Sequence, residues 1–333
     1  MPMQSGYCHF LANPNKLCDI VAAGIVDEYQ KRDPDSRLDV SVSGGHGALF
    51  IAGELQSAAD FDVSACVRRI LGRYGIAEGL EPFIALEKIP SERLMHAKQA
   101  DLDPIMACGY ATTESESALP LAQYLANQIA HALEEKRRQD TNWFWMSRVG
   151  QVIVMRNRDG NKITIRLDHG AQDLGTVRQE ISRVVESLNI NQDYKLAINP
   201  LGAMDCHSLK TAIGRSGICS HPYGSALPSV PNPCGLDWHK AKVTAPIIAR
   251  YVSLQVLKES GAKAVMTRLL YLPGEDDPAQ VWIRDEMGRD LSSHNQDIQL
   301  HLQKAMDTWK QSDLMTQIAI NGIAGHQSLP WEA

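Results

Sequence analysis

No apolar stretch in the 333-residue sequence reaches the ~18 residues that a membrane-spanning helix needs, so no membrane partner is expected. Blocks of like charge are also missing. The 33 basic and 39 acidic residues leave a net charge of −6, and with a pI near 6.0 this argues against a general nucleic-acid or anionic-membrane surface. The opening residues MPMQSGYCHF lack a basic segment followed by an apolar one, so no secretory leader is expected. Seven cysteines, an odd number without paired spacing, give no disulfide framework and suit a reducing cytoplasm, the compartment expected here. What is present is 44% hydrophobic and 22% charged residues, enough for a substantial core in a chain longer than one small domain requires.

The strongest local order lies between Asn13 and Leu55. Asn13 is a good helix cap and Pro14 stands where a first-turn proline loses no hydrogen bond. Leu17, Ile20, Val21, Gly24 and Ile25 fall on one face, which predicts an amphipathic helix ending before Asp33-Pro34. Arg37 to Val42 reads as a strand, Gly44-Gly45-His46-Gly47 as a turn, and Ala48 to Leu55 as the returning strand. Polar groups collect at the helix start, at Asn13, Asn15, Lys16 and Asp19, and at the strand end, at Glu54.

The same theme returns along the chain. The first hairpin is followed by a predicted helix over Asp62–Tyr74, stopped by Gly75. Gln151–Arg156 and Lys162–Leu167 alternate around Asn157–Gly160, with a helix over Thr176–Leu188. Ala264–Tyr271 and Gln280–Asp285 are strand-like, followed by a helix over Ile298–Trp309. Long helices over Ala118–Arg138 and Val243–Glu259 link these units. Hairpin plus helix, repeated three times without visible sequence identity, predicts an α+β fold of three structurally similar domains. Met204 to Lys242 reads as a long loop, with four prolines between Pro222 and Pro233, of the kind that lines a site or lacks order.

Several segments resemble motifs of the S-adenosylmethionine synthetase (methionine adenosyltransferase) family. ANPNKLCD, DPDSRLDVS and AGEL are similar to GHPDKxCD, DPxARVACE and GGEI. CGYATTES with Leu119-Pro120, INPLG at 198–202, ARYV at 249–252 and the terminal LPWE follow in the family's order. The resemblance implies the family's three interwoven domains, here 1–140, 141–200 and 243–333 with an active-site loop at 201–242, and a homodimer, or a higher assembly built on it, with sites at the interface. It implies a transferase that moves the adenosyl group of ATP to the sulfur of methionine or a related amino acid and releases triphosphate.

Carried over position by position, the resemblance shows which groups this chain keeps. The histidine of GHPDK falls on Asn13, its metal-binding aspartate on Asn15, and its lysine survives as Lys16. The potassium-binding glutamate falls on Ser41, the catalytic lysine of RPDAKSQV on Val149 and its aspartate on Ser147. Arg215 remains in the GRK motif, whose lysine falls on Ser216. In GKDPxKVD, Asp237 and Lys240 are kept, the first lysine falls on Leu236, and the metal-binding aspartate falls on Lys242. Neutral amides do not replace charged groups, so the phosphate and metal site is largely rebuilt. Glu54, Asp103 and Lys240, which match groups around methionine and the reacting sulfur, are retained. The candidate catalytic residues are therefore Asp103, Lys16, Arg215 and Lys240, and the substrate-binding ones Glu54, Asp103, Asp237, Lys240, Asn13 and Asn15. None of these residues is expected to ligate a metal. The cofactor is left open, magnesium being the candidate, and Lys242 is a candidate internal substitute for the cation. The expected ligands are a nucleotide, methionine or S-adenosylmethionine. Two other readings are an enzyme using the retained pocket for a different reaction in a specialised pathway, and a non-catalytic binding or partner subunit.

Two further groups attract chemistry. Cys206-His207, Cys219 with His221 and Cys234 with His239 could supply four zinc ligands, though the spacing fits no standard finger and cysteines are often small core residues. His9 could replace the missing histidine if the terminus folds over the site.

Overall fold

The structure is a computed structural model that describes residues 3–75, 79–90, 92, 104–158, 160–190, 193–203, 211–295 and 297–333; Asp103, Cys206 and His207 lie outside the described residues. In chain order it runs β1 (Gln4–His9), α1 (Pro14–Arg32), β2 (Arg37–Gly45), β3 (Ala48–Gln56), α2 (Val63–Arg73), β4 (Glu81–Lys88), β5 (Ile105–Thr112) and α3 (Leu121–Gln139). Then come β6 (Gly150–Asn157), β7 (Gly160–Leu167), α4 (Leu174–Ser187), β8 (Tyr194–Ile198), β9 (Ala212–Ile213) and α5 (Ala241–Ser260). The chain closes with β10 (Ala264–Tyr271), β11 (Gln280–Asp285), α6 (Leu302–Trp309) and α7 (Leu314–Asn321).

Each predicted hairpin forms and seeds its own sheet. The sheet orders are β4-β3-β2-β9, β1-β6-β7-β8 and β11-β10-β5. In the first two, the helix after the hairpin returns the chain to a strand parallel to the second hairpin strand, β4 beside β3 and β8 beside β7. In all three, the first hairpin strand gains an antiparallel neighbour from a distant part of the chain: β9 on β2, β1 on β6 and β5 on β10. A long helix packs against each sheet, α1 on β2, α3 on β1 and β6, and α5 on β5 and β10. This contact is close enough to need glycine. A Cβ on Gly109 would stand 2.1 Å from the carbonyl oxygen of Ala249 in α5, and one on Gly6 would stand 2.4 Å from the Gln123 backbone in α3.

Two elements depart from the sequence expectation. Helix α1 is not amphipathic but buried around nearly its whole circumference, Lys16, Asp19 and Asp27 included. The cause is that β2, α2 and α7 cover different sides of it. The Asp27 carboxylate accepts the N–H groups of Met315 and Thr316 (3.2 and 2.8 Å) at the start of α7, and so anchors that helix. The last predicted helix starts at Leu302 rather than Ile298. Tyr271 Oη donates to Leu300 O (2.7 Å) and Leu302 N to Asp276 O (2.9 Å), which ties those residues to the β10–β11 hairpin instead of to a helical turn. The first hairpin closes on His46 and Gly47, both at positive φ (52° and 87°), as a two-residue turn requires, so β2 runs on through Gly45.

Two of the motif residues bond directly to each other. Arg250, on α5, is fully buried and its fork holds both oxygens of Glu332 at 2.7 Å. It also donates to the carbonyls of Tyr110, Ser117 and Ala118 (2.6, 2.9 and 3.1 Å), fixing the chain end to β5 and the start of α3. Among the described residues no helix is long and apolar enough to cross a membrane.

Candidate functional site

Strand β2 organises the site because the long loop after residue 204 returns to cover its open edge in two places. At one end Ser43 pairs with Ile213 and Gly214 N donates to Val42 O (2.8 Å). At the other end Val40 N donates to Gly235 O (2.7 Å) and Asp237 N to Leu38 O (3.1 Å), with Leu236 bridged to Asp39. Gly235 has φ +84° and a Cβ there would lie 1.9 Å from Val40 O, so the approach admits only glycine. Among its described residues, 211–242, the loop expected from its prolines is thus largely packed, and Tyr223, Trp238, Cys219 and Cys234 are buried in it.

Asp19 and Arg215 hold this arrangement together. The Asp19 carboxylate, on α1 and 2% exposed, accepts the Arg215 backbone N–H and, at 3.1 Å, the Asn232 amide. Burial raises its pKa, against the pull of those donors, the Arg215 charge and the Gly217 N–H. Arg215 is held at φ +61°, where side-chain-bearing residues are strained. Its guanidinium bonds Asp39 Oδ1 (2.6 Å), Val40 O (3.2 Å) and Cys234 O (3.2 Å). Between α1, β2 and this loop is a cavity of about 210 Å³ lined by Asp19, Ser41, Ser43, Ile213, Arg215 and Cys234.

The candidate residues fall into two groups. Asn13 caps α1 through Asn15 N (3.2 Å), and Asn15 Oδ1 accepts Ile213 N (3.1 Å), so the helix start is tied to the loop that carries Arg215. Glu54 lies directly across from Asp39 on β3, with Glu87 of β4 beyond it. Asp237 is fully buried, accepting Leu38 N (2.7 Å) and His239 N (2.9 Å), and Lys240 caps α5 just after it. Asn15, Arg215, Glu54 and Asp237 are therefore gathered around β2. Lys16 turns elsewhere: it is 2% exposed and its Nζ donates to His9 O (3.0 Å). Asp19, expected only as one of the polar groups at the helix start, and Asp39, given no role by the sequence, both carry the geometry of the site. Asp39 is two residues before Ser41, hence on the same strand face, so a carboxylate is present there although displaced along the strand.

His9 is on β1 with its ring 5.3 Å from that of Tyr7. Burial, reinforced by the charge of Lys16, lowers its pKa to about 4, so the ring is neutral near pH 7 and a poor proton donor. The unfolded histidine binds a proton below its ordinary ~6.5 while the folded one does so only near 4, so folding stability should fall as pH drops through that window. His9→Phe should flatten this loss by about 2 kcal/mol between pH 7 and 4.5, read as the change in urea midpoint; an unchanged slope would rule it out.

The Cys/His set is not assembled among the described residues. Cys219 and Cys234 do meet, with sulfurs 3.7 Å apart and Asp19 alongside. His239 Nδ1, however, bonds Asp237 (3.0 Å), and His221 lies against Tyr7. The Asp19 oxygens already accept hydrogen bonds, and burial pushes the Cys234 thiol well up, away from the thiolate that zinc needs. At the positions where the family's motifs carry metal ligands, the donors for magnesium are poor: Asn15 Oδ1 is taken by Ile213 N, Ser41 offers a hydroxyl and position 242 an ammonium, while the carboxylates of Asp39 and Glu54 stand displaced along β2 and β3.

Residues 11–87 match the family model described as "S-adenosylmethionine synthetase, N-terminal domain", and residues 98–204 match that of the central domain. The S-adenosylmethionine synthase of Mycoplasmopsis pulmonis is 25% identical over 300 residues, 81% of this chain and 77% of that protein. That of Mycoplasma mycoides is 23% identical over 96% of this chain and 92% of its own length. In fold, an S-adenosylmethionine synthetase from Campylobacter jejuni described as unusual superimposes with a TM-score of 0.88, covering 100% of this chain and 97% of its own at 18% identity. With the two matched regions spanning more than half the chain and the motif segments converging on β2, this protein belongs to the S-adenosylmethionine synthetase family.

Proposed function

We propose that this protein transfers the adenosyl group of ATP to the sulfur of methionine or a related amino acid, at a site built on the outer face of β2 and β3. In that reaction the sulfur lone pair forms a new S–C bond while the C–O bond to the triphosphate breaks, its electron pair leaving with the triphosphate. One observation carries the reading: helix start, strand β2 and the Arg215 loop, far apart in sequence, are hydrogen-bonded into one cluster around a single cavity. In this reading Glu54, across from Asp39 on β3, accepts the amino group of the amino acid. Arg215 supplies positive charge, partly spent on Asp39. Since the family's metal-ligand positions carry an amide, a hydroxyl and an ammonium here, Lys242 on the first turn of α5 stands in for cationic charge in this reading. The reading includes a homodimer closing over the sheet, where Phe50 and Phe83 stack at 5.3 Å, each 52% exposed, with the exposed Ile213 in the same row across Ser43.

The test is incubation of the pure protein with ATP and methionine, with and without magnesium, and mass analysis of products. A sulfonium product supports the proposal. Product only from another amino acid or nucleotide would move the protein to a different reaction, and binding without turnover would make it a binding subunit. Glu54→Gln, which keeps shape and removes charge, should weaken calorimetric binding of methionine or S-adenosylmethionine by about 1.5–3 kcal/mol. Equal affinity in the variant would detach Glu54 from the site.

A further inference from the structure

A second cavity, of about 650 Å³, lies between the end of α2, the second half of α3, the end of α7 and the residues leading into β6. It shares no lining residue with the cavity beside β2. Arg73, Arg137, Arg138, Arg148 and Lys16 line it against Glu134 and Glu135. The charges do not cancel pairwise. Glu135 is bound by Arg138 (2.6 Å), and Glu134 accepts Leu11 N (2.7 Å) beside the buried Lys16. Arg73, Arg137 and Arg148 have no carboxylate within ion-pair distance among the described residues.

Neutral carbonyls hold two of these arginines in place. Arg137 Nε donates to Met146 O (2.5 Å) and Arg148 Nη1 to Arg73 O (3.3 Å). Burial and then the neighbouring Arg148 charge lower the Arg137 pKa, and the nearby Glu134 carboxylate only partly offsets them, as expected where guanidinium groups outnumber the carboxylates beside them. Arg73 and Arg137 stand near helix ends, where a cation complements the backbone dipole, but Arg148 precedes a strand and has no such reason to be there. Guanidinium forks recognise phosphate oxygens in pairs, and a cleft of one sign concentrates anions. The volume is in the range of small-molecule sites.

We propose that this cavity is a second ligand site, in which Arg73, Arg137 and Arg148 grip the polyphosphate chain of a small molecule. The chain belongs either to a nucleotide or to inorganic polyphosphate. Calorimetric titration of the full protein with inorganic tripolyphosphate and, separately, with ATP decides it, comparing the parent with Arg73→Gln/Arg148→Gln. The difference between parent and variant removes any binding at the β2 cavity, so the outcome does not depend on the proposed reaction. A tenfold or greater loss with both probes at unchanged melting temperature assigns a nucleotide, and loss with tripolyphosphate alone assigns inorganic polyphosphate. Arg148→Lys, which keeps charge without the fork, should lose less than Arg148→Gln, a readout that holds if the double variant folds poorly. No polyphosphate binding to the parent, or undiminished binding in the folded variants, overturns the site.

Discussion

Arg250→Leu should destabilise the protein by about 3–5 kcal/mol, because it strands the Glu332 carboxylate in the interior and leaves three carbonyls without their donor. The pair is nearly inaccessible, with side-chain exposure of 0% and 6%, so solvent cannot replace the lost partner. Glu332→Leu alone should also be costly, by leaving the guanidinium unpaired. The double change Arg250→Leu/Glu332→Leu should cost clearly less than the two single changes added together, because the double variant leaves neither charge buried without its partner. Urea midpoints of the four proteins give the coupling. If the single effects simply add, the two residues do not act as a unit, and the collinearity of the ARYV and PWE segments needs another physical cause.

Asp19→Ala should cost about 3 kcal/mol and, unlike the Arg250 change, should strike the candidate site directly. The carboxylate takes hydrogen bonds from the Arg215 backbone and the Asn232 amide, two points of the long loop separated in sequence, and removing it orphans both. The strained φ of Arg215 then has less to hold it, so the loop should loosen and its guanidinium should no longer be fixed against Asp39. Asp19→Asn should be nearly as damaging, since its amide would turn N–H groups toward N–H groups. Urea unfolding combined with limited proteolysis between residues 211 and 235 measures both effects. A loss below about 1 kcal/mol with no new cleavage would show that backbone pairing to β2 alone positions the loop.

The contrast between these residues explains what could be read in advance. The three hairpins were legible because a strand alternates over a few residues and its turn residues are local: Asn157–Gly160 between β6 and β7 needs no knowledge of the rest of the chain. Strands β1, β4 and β8 were not, as β1 shows: its partner β6 is supplied by a distant part of the chain. Helix α1 misled for a related reason. Its apolar stripe is real, but Asp19 and Asp27 on its other sides look like solvent-facing residues until α7 and the Arg215 loop are seen to satisfy them. At the site, motif resemblance located the right segments, yet the carboxylate of Asp39 lay outside it because the motif aligns by position, whereas a strand offers the same face again two residues away.

The exchange of strands among the three sheets also bears on how the chain is made. While the ribosome is still extending the molecule, β1 has no partner, because β6 follows so late that the contact between Gln4 and Arg156 spans 152 positions. Strand β5 waits for β10, and β2 keeps an open edge until residue 213 has been synthesised. No unit can therefore close in the order of synthesis, and the emerging chain must carry unpaired strand edges for most of its translation. The sheet of β5 completes last, after β10 and β11 have been made, and Glu332 meets Arg250 later still. Cutting this protein into its apparent units would leave pieces that each lack a strand of their sheet, with an apolar edge open to pairing with other chains.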